Sequence, residues 1–534
     1  MQVTSYDANC LSRRLIVTLI RQARFLGLVL TAGATLAFMT SLRSQEQSYR
    51  QVVERIRDEG FNRSRVMDYA WYLTDVIGPR LAGSDAMRES QAWAKAEMEA
   101  IGLVKTSLEP FGEPVVNWDV EYVSLSMLEP DYQPLIGFPQ AFTSGTDGRV
   151  QAPVVVADVR SRSDLDIYRG HLRGTIVLAT PLRDYAPRFE PAAGRHDEQS
   201  LKVFVEQGVD RNLAARREEA WARNPPSIDD LSWEEVEAFY REEGVVAVLV
   251  AAQGGDGTVF VTRRRDRSME AIGNSLPTLS MATEHYGRMY RLASRDVPVT
   301  MQAEVRVKLQ SRRDPEYNVV GELPGSDLAD EVVMVGAHLD TWHLGTGATD
   351  NASGVSVVLE SLRILKELGV VPRRTIRAAL WGYEEGGLHG SRAYVAKHFG
   401  NPSAGTTEDY EKFSVYFNLD NGTGQIRGIH QQGNSAVASI FNEWMQPFHD
   451  LKIQTLSTFS NRGSDQLAFD EVGLPGFQFL QDRIEYRTRT HHTNMDVFEK
   501  LLPEDLKINA VVLAAFAYQA SQMDQRFPRK PLIP

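Results

Sequence analysis

The chain has 534 residues, 43% of them hydrophobic and 24% charged, which is enough for two or three domains, each with its own core, and excludes a disordered or fibrous protein. Its formal net charge of -12 argues against nucleic acid as a partner, because phosphate binding needs a basic footprint. The single cysteine is Cys10, so a metal bound beyond the N-terminal stretch has to be held by His, Asp and Glu.

Residues 1–44 read as a signal peptide or an N-terminal membrane anchor. Arg13, Arg14, Arg21 and Arg24 precede the apolar run Phe25 to Met39, whose length suits a signal-peptide core and is short for a membrane span. Ala32-Gly33-Ala34 has the small-residue pattern of a cleavage site but lies inside the apolar run, so an uncleaved leader stays open. Export to the periplasm or the cell exterior is the expectation.

From Gln45 to Gly102 the pattern is helical, with Trp71, Met87, Trp93 and Met98 among charged residues and the loop Ile77 to Asp85 between two amphipathic segments. Short strands are expected near Val104 to Pro110 and Tyr122 to Leu128. Between 130 and 306, Pro and Gly punctuate β-like runs at Ala152 to Val159, Thr175 to Ala179, Val245 to Ala251 and Val259 to Arg263, which predicts a separate β-rich module. A charged helical excursion, 187–244, interrupts it. After Asn318, apolar strands at Val332 to Gly336, Ile376 to Tyr383, Val415 to Leu419 and Gly476 to Leu480 alternate with helices at Val355 to Leu368, Ser391 to His398, Asn434 to Pro447 and Pro503 to Met523. That alternation predicts an α/β fold with a mostly parallel sheet covered by helices on both faces. The domain reading is therefore 45–129 and 307–534 for the α/β domain, with 130–306 inserted.

Each of the four strands ends in acids or histidines. His338, Asp340 and Asp350 follow the first, Glu384 and Glu385 the second, Asp420 the third, and His491, His492 and Asp496 the fourth. In an open α/β sheet the loops at the carboxyl ends of strands line one crevice. A crevice filled with carboxylates repels itself unless cations are bound. A ligand set without thiolates suits Zn²⁺ first and Mn²⁺ or Co²⁺ as substitutes, and this many ligands implies two ions.

The motifs GAHLDTW, TDNASG, WGYEEGG, NLDNG and HHTNMD, in this order, resemble those of the co-catalytic di-zinc exopeptidase family that includes bacterial leucyl aminopeptidases and glutamate carboxypeptidases. IGPRLAGSDAM and NGTGQIRG bring the chain closest to the plasma glutamate carboxypeptidase (carboxypeptidase Q) branch and its bacterial relatives, over roughly Arg65 to the C-terminus. The resemblance implies that Asp350 bridges two zinc ions, with His338 and Asp420 completing one site and Glu385 and His492 the other. It makes Glu384 the general base acting on a metal-bridging water, and Asp340 the partner that orients His338. It also implies a cis peptide between Asp350 and Asn351. Because Glu384 and Glu385 are adjacent, the turn after Tyr383 has to twist to bring both to the metals. His491 is expected to line the substrate site, and His343 and His389 to be structural or lining. Ser464-Asp465-Gln466 stands where many relatives carry Ser-Asp-His, and Asn461 where some aminopeptidases place an oxyanion-stabilising tyrosine. The β-rich module is similar to the protease-associated domain inserted in this family.

These readings converge on an exported zinc-dependent exopeptidase acting on short peptides or dipeptides, with a homodimer left open. The alternatives are a non-catalytic receptor-like member of the fold, discounted because all five ligands match, and a single-zinc acyl-transfer or cyclase relative. A carboxypeptidase needs a cation for the substrate's terminal carboxylate, and Arg462, Arg483, Arg487 and Arg489 are the candidates nearest the His492 motif.

Overall fold

The computed structural model describes residues 49–183, 189–206 and 231–530. The leader at 1–44, and within the 187–244 excursion residues 187–188 and 207–230, lie outside them. The chain divides at Arg57/Asp58 into two units. The described part of the first, 49–57, is helical, and all strands of the described residues belong to the second. No helix among the described residues is long and apolar enough to cross a membrane.

Strands β1 (Val104–Phe111), β2 (Glu316–Leu323), β3 (Leu328–His338), β4 (Arg374–Trp381), β5 (Phe413–Asn418), β6 (Ile426–His430), β7 (Thr455–Ser457) and β8 (Gly476–Gln481) form one sheet. Their order is β1-β2-β4-β3-β5-β8-β6-β7. The four strands expected from the sequence are the contiguous parallel block β4-β3-β5-β8. The sheet as a whole is mixed rather than mostly parallel. β1 and β2 run antiparallel on one side, and β6 is antiparallel to β8 on the other. Antiparallel neighbours need no crossover helix, so strand-helix alternation does not signal the β1-β2-β4 and β8-β6 pairings, whereas β6 and β7, separated by the helix Ala438–Met445, pair in parallel.

Side chains along β3 alternate between two buried layers. Met334 packs with Trp381, Tyr394, Tyr416 and Phe469 on one side. Helix α1 spans Asp85–Ile101, α2 Ser353–Glu367, α3 His389–His398 and α4 Pro503–Gln522, and α2 and α4 pack on each other and on β3. Every residue of α2 from Ser353 to Leu365 is buried, including Glu360 and Arg363, which pair with each other and, through Arg363, with Glu59. Gly354 lets α2 begin close to the end of β5, since a Cβ there would lie 2.4 Å from the Leu419 carbonyl oxygen.

A second eight-stranded sheet has the order Gln133–Pro134, Asn117–Glu129, Thr300–Gln310, Val150–Val156, Ile176–Leu178, Ala247–Ala251, Thr278–Met281, Gly137–Pro139. It reaches past 130–306 in both directions, because Asn117–Glu129 pairs along its length with Thr300–Gln310. The run Val259 to Arg263, read from the sequence as β-like, is not a strand of this sheet, although its Arg263 forms an isolated bridge to Ala141. Its Phe260 bridges Thr493.

Arg80, with a fully buried side chain, ties the loop after β3 to the N-terminal helices. Its guanidinium donates to the carbonyls of Leu73, Gly78, Leu339, Thr346 and Gly347 at 2.8 to 3.0 Å. Its backbone N–H donates to Thr341 Oγ1 at 2.9 Å. Burial lowers its pKa to about 10, against the opposing pull of Asp496, Asp340 and Asp350. One side chain therefore closes the loop that runs from His338 to Asp350. Arg80→Met leaves five carbonyls without this donor and is expected to lower the unfolding free energy by about 3 to 5 kcal/mol, measured by urea denaturation; a wild-type midpoint would contradict this role.

Candidate metal centre

The acids and histidines that end β3, β4, β5 and β8 meet in one cluster. Asp350 stands at its middle, with its two carboxylate oxygens facing different partners. Oδ1 lies 3.2 Å from His338 Nε2, and the same Nε2 lies 3.4 Å from Asp420 Oδ1. Oδ2 lies 3.1 Å from His492 Nε2, and that nitrogen lies 2.9 Å from Glu385 Oε2. Asp350 is thus shared by a His338-Asp420 pair and a His492-Glu385 pair.

Local backbone explains how adjacent residues reach the same point. The Asp350–Asn351 peptide is cis. Asn351 Nδ2 donates to the Leu419 carbonyl and its Oδ1 accepts from Gly354 N–H. Tyr383 has a φ of +58°, which breaks the strand alternation just before Glu384 and Glu385. His492 has a φ of +59°, and its ring stacks on His491 at 3.8 Å. His491 Nε2 lies 3.7 Å from Asp350 Oδ2, so His491 belongs to the lining of this half of the site, with Glu385 the nearer partner of His492.

Asp340 has more contacts than an orienter of His338 alone. His338 Nδ1 donates to the Asp340 backbone carbonyl at 2.9 Å, with the carboxylate at 3.7 Å. The carboxylate accepts the N–H of Glu384 at 2.9 Å and of Glu385 at 3.2 Å, so one residue joins the end of β3 to the turn after β4. Two further residues take part in roles that the motifs leave unassigned. Asp496 accepts from Thr349 N–H, Thr349 Oγ1 and Asp350 N–H at 2.6, 2.7 and 3.1 Å, which fixes the backbone that presents Asp350. Tyr486 Oη donates to Asp420 Oδ1 at 3.4 Å. Asp496 is signalled by its place in HHTNMD; for Tyr486 the only hint is its place in the arginine-bearing loop before His491.

Asp465 is fully buried. His343 hydrogen-bonds the Pro139 carbonyl, and His389 stacks on Tyr383. Arg489 is engaged by Asp256 at 3.4 Å and by Glu485 at 3.7 Å. Arg462, Arg483 and Arg487 are exposed.

Electrostatics mark the cluster as a site built for cations. Burial lifts Glu384 well above the ordinary carboxylate range, with Asp465, Asp420 and Glu385 adding to it and His338 opposing. Burial also raises Glu385 and Asp465, and takes Asp496 up to about 7, with the Asp350 charge adding. His338 and His492 move the other way from buried neutral histidines. Desolvation pulls both down, but the facing carboxylates outweigh it and hold both well above their usual value. Asp350 stays low although burial pushes it up, because His338 and His492 face it.

The donors fit zinc. His338, Asp350 and Asp420 offer ligand atoms within 4.8 Å of one another, and so do Asp350, His491 and His492. Tetrahedral Zn²⁺ with bonds near 2.0 Å has ligand-to-ligand edges of about 3.3 Å, close to the 2.9 to 3.4 Å spacings of the two pairs. Glu385 Oε1 is buried with no hydrogen-bond partner, an oxygen that a cation satisfies. A cleft opens onto Asp350, Glu385 and His492, with Trp342 on its wall.

Residues 318–517 match the model described as "Peptidase family M28". This segment is an M28 peptidase domain. Over 459 residues the chain is 27% identical to carboxypeptidase Q of Mus musculus, covering 86% of each chain. Among solved structures it is similar to an M28 peptidase precursor from Shewanella amazonensis, at 25% identity and a TM-score of 0.63, covering 92% of this chain and 100% of that one. It also shares the fold of a zinc aminopeptidase from Bacillus subtilis, at 19% identity and a TM-score of 0.53, covering 86% and 95%. All five expected ligands, His338, Asp350, Glu385, Asp420 and His492, fall inside the M28 segment.

Removing zinc from the M28 domain exposes the carboxylate repulsion to titration. Glu384, Glu385, Asp465 and Asp496 have raised folded-state pKa values. The metal-free folded protein therefore binds more protons than the unfolded chain above about pH 4, and its stability falls as pH rises. The raised values of His338 and His492 act in the same direction at higher pH. Asp350, with its lowered value, acts oppositely, but only in the acid range. The melting temperature of chelator-treated protein is expected to fall between pH 5 and pH 8, and zinc to raise it more at pH 8. A zinc gain independent of pH would contradict this.

Proposed function

We propose that the chain is an exported zinc-dependent exopeptidase that hydrolyses short peptides or dipeptides, with two zinc ions sharing Asp350. The observation that carries the reading is the division of the Asp350 carboxylate, one oxygen toward His338 and Asp420 and the other toward His492 and Glu385. His338 and Asp420 would hold one ion, His492 and Glu385 the other. Bound there, zinc supplies Lewis-acid polarisation of the peptide carbonyl and acidifies a water molecule.

The chain's own residues do the rest. Glu384 accepts a proton from the attacking water and delivers it to the nitrogen of the leaving amine as the C–N bond breaks. Asp340 fixes the backbone of both Glu384 and Glu385, so the base and the adjacent ligand keep one relative position. Trp342 and His491 border the cluster, the first on the cleft wall and the second beside Asp350. The name carboxypeptidase Q, borne by a relative that aligns over 86% of the chain, favours release from the C-terminal end. The arginine-rich leader and its apolar run favour export.

Glu384→Gln removes proton transfer without removing a ligand. It is expected to retain the zinc content of the wild type while lowering kcat on a dipeptide by at least about a hundredfold, with little change in KM. Near-wild-type turnover would reject Glu384 as the base, and loss of zinc would mean that Glu384 is a ligand.

A further inference from the structure

The segment from Asp256 to Arg263 belongs by sequence to the β-rich module, yet it is laid against the metal-site loop. Val261 N–H donates to the His492 carbonyl at 2.9 Å, Asn494 N–H to the Val259 carbonyl at 3.2 Å, and Val259 N–H to Asn494 Oδ1 at 2.7 Å. Phe260 and Thr493 form an antiparallel bridge between them. This pairing, together with a parallel bridge between Arg263 and Ala141 on the other side, brings the side chain of Arg263 to the rim of the cleft. Its guanidinium lies 5.4 Å over the Trp342 ring, and one N–H donates to the Glu385 backbone carbonyl at 3.3 Å.

Neighbouring arginines are differently occupied. Arg264 turns inward to the buried Glu237, and Arg267 donates to Tyr383 Oη and lies 4.7 Å over the Phe142 ring. Arg489 is neutralised by Asp256 and Glu485. Arg263 faces no carboxylate within ion-pair distance among the described residues, and the bond to Glu385 uses one of the five N–H donors of a guanidinium. The indole beneath it fixes the plane of the fork.

The geometry points to Arg263 as the group that pairs with the terminal carboxylate of the residue released from the substrate. The inference rests on the exopeptidase reading and assigns one of its binding contacts to a residue outside the M28 segment. Glu385 supplies the scale. Its carboxylate faces His492 in the metal cluster while its carbonyl holds Arg263, so the guanidinium stands within one residue's length of the reacting centre. In a substrate whose last residue is being released, the terminal carboxylate likewise lies one residue beyond the cleaved bond, joined to the scissile nitrogen through a single Cα. A carboxylate entering a site lined by acids needs such a cation, and a bidentate guanidinium supplies both charge and orientation.

The test compares alanyl-leucine with its C-terminal amide, using zinc-loaded full-length wild type, Arg263→Gln, Arg263→Lys and, as a charge control, Arg265→Gln. The wild type is expected to prefer the free acid by roughly 10- to 100-fold in kcat/KM. In Arg263→Gln that ratio is expected to collapse toward about one through loss on the acid alone, with Arg263→Lys between the two and Arg265→Gln like the wild type. Because the ratio is internal to each preparation, a partly unfolded variant does not imitate the result. An acid-to-amide ratio unchanged in Arg263→Gln overturns the proposal. So does an equal loss on both substrates, which would make Arg263 a residue that only docks the two segments, and so does a wild type indifferent to amidation. If zinc-loaded wild type cleaves neither peptide nor any other short peptide, the exopeptidase reading itself fails.

Discussion

Mutual repulsion among buried carboxylates is the constraint on which this structure turns. Asp340, Asp350, Asp420, Glu384, Glu385, Asp465 and Asp496 converge on one end of the parallel block of the sheet, and the histidines that offset them are His338 and His492, with His491 farther off at 3.7 Å from Asp350. Without cations, burial first and the neighbouring carboxylates second raise Glu384, Glu385, Asp465 and Asp496, while the facing carboxylates raise His338 and His492 against the pull of burial. Divalent zinc relieves the same repulsion without protons and leaves the carboxylates ionised for ligation.

Much of the surrounding fold serves to hold that crowd still. Asp340 binds the turn after β4 to the end of β3, Asp496 grips Thr349 and Asp350, and Asn351 fastens the start of α2 to the end of β5. Arg80 closes the intervening loop from the opposite side through carbonyls alone. None of these contacts is part of the proposed chemistry. Each removes freedom from a residue that is, and positional errors of a fraction of an ångström are costly in such sites.

How much of this is legible in the sequence depends on the kind of signal each feature leaves. Apolar runs ending in His338, Glu384-Glu385, Asp420 and His492 announce both the parallel block and the residues gathered at its rim, because burial and charge are written locally. β1 is legible as a short strand near Val104 to Pro110, but β2 and β6 leave no such mark, and the pairing of all three is set by distant partners. Val259 to Arg263 is a β-like run that belongs to neither sheet: its Phe260 bridges Thr493 and its Arg263 bridges Ala141. The same ambiguity hides Arg263, while the arginines closer in sequence to His492 stand out, and one of them, Arg489, proves to be ion-paired on the surface. Arg80 is visible only as a loop residue, since a side chain that satisfies backbone carbonyls has no partner to be found by pattern.

That Asp350 joins two zinc ions is tested most directly by a crystal structure of the zinc-soaked protein, with anomalous data collected on both sides of the zinc absorption edge. Two zinc peaks are predicted to flank the Asp350 carboxylate, one against His338 and Asp420 and the other against His492 and Glu385. A single peak, or a second ion held by His491 with Glu385 unligated, would contradict the shared-carboxylate centre.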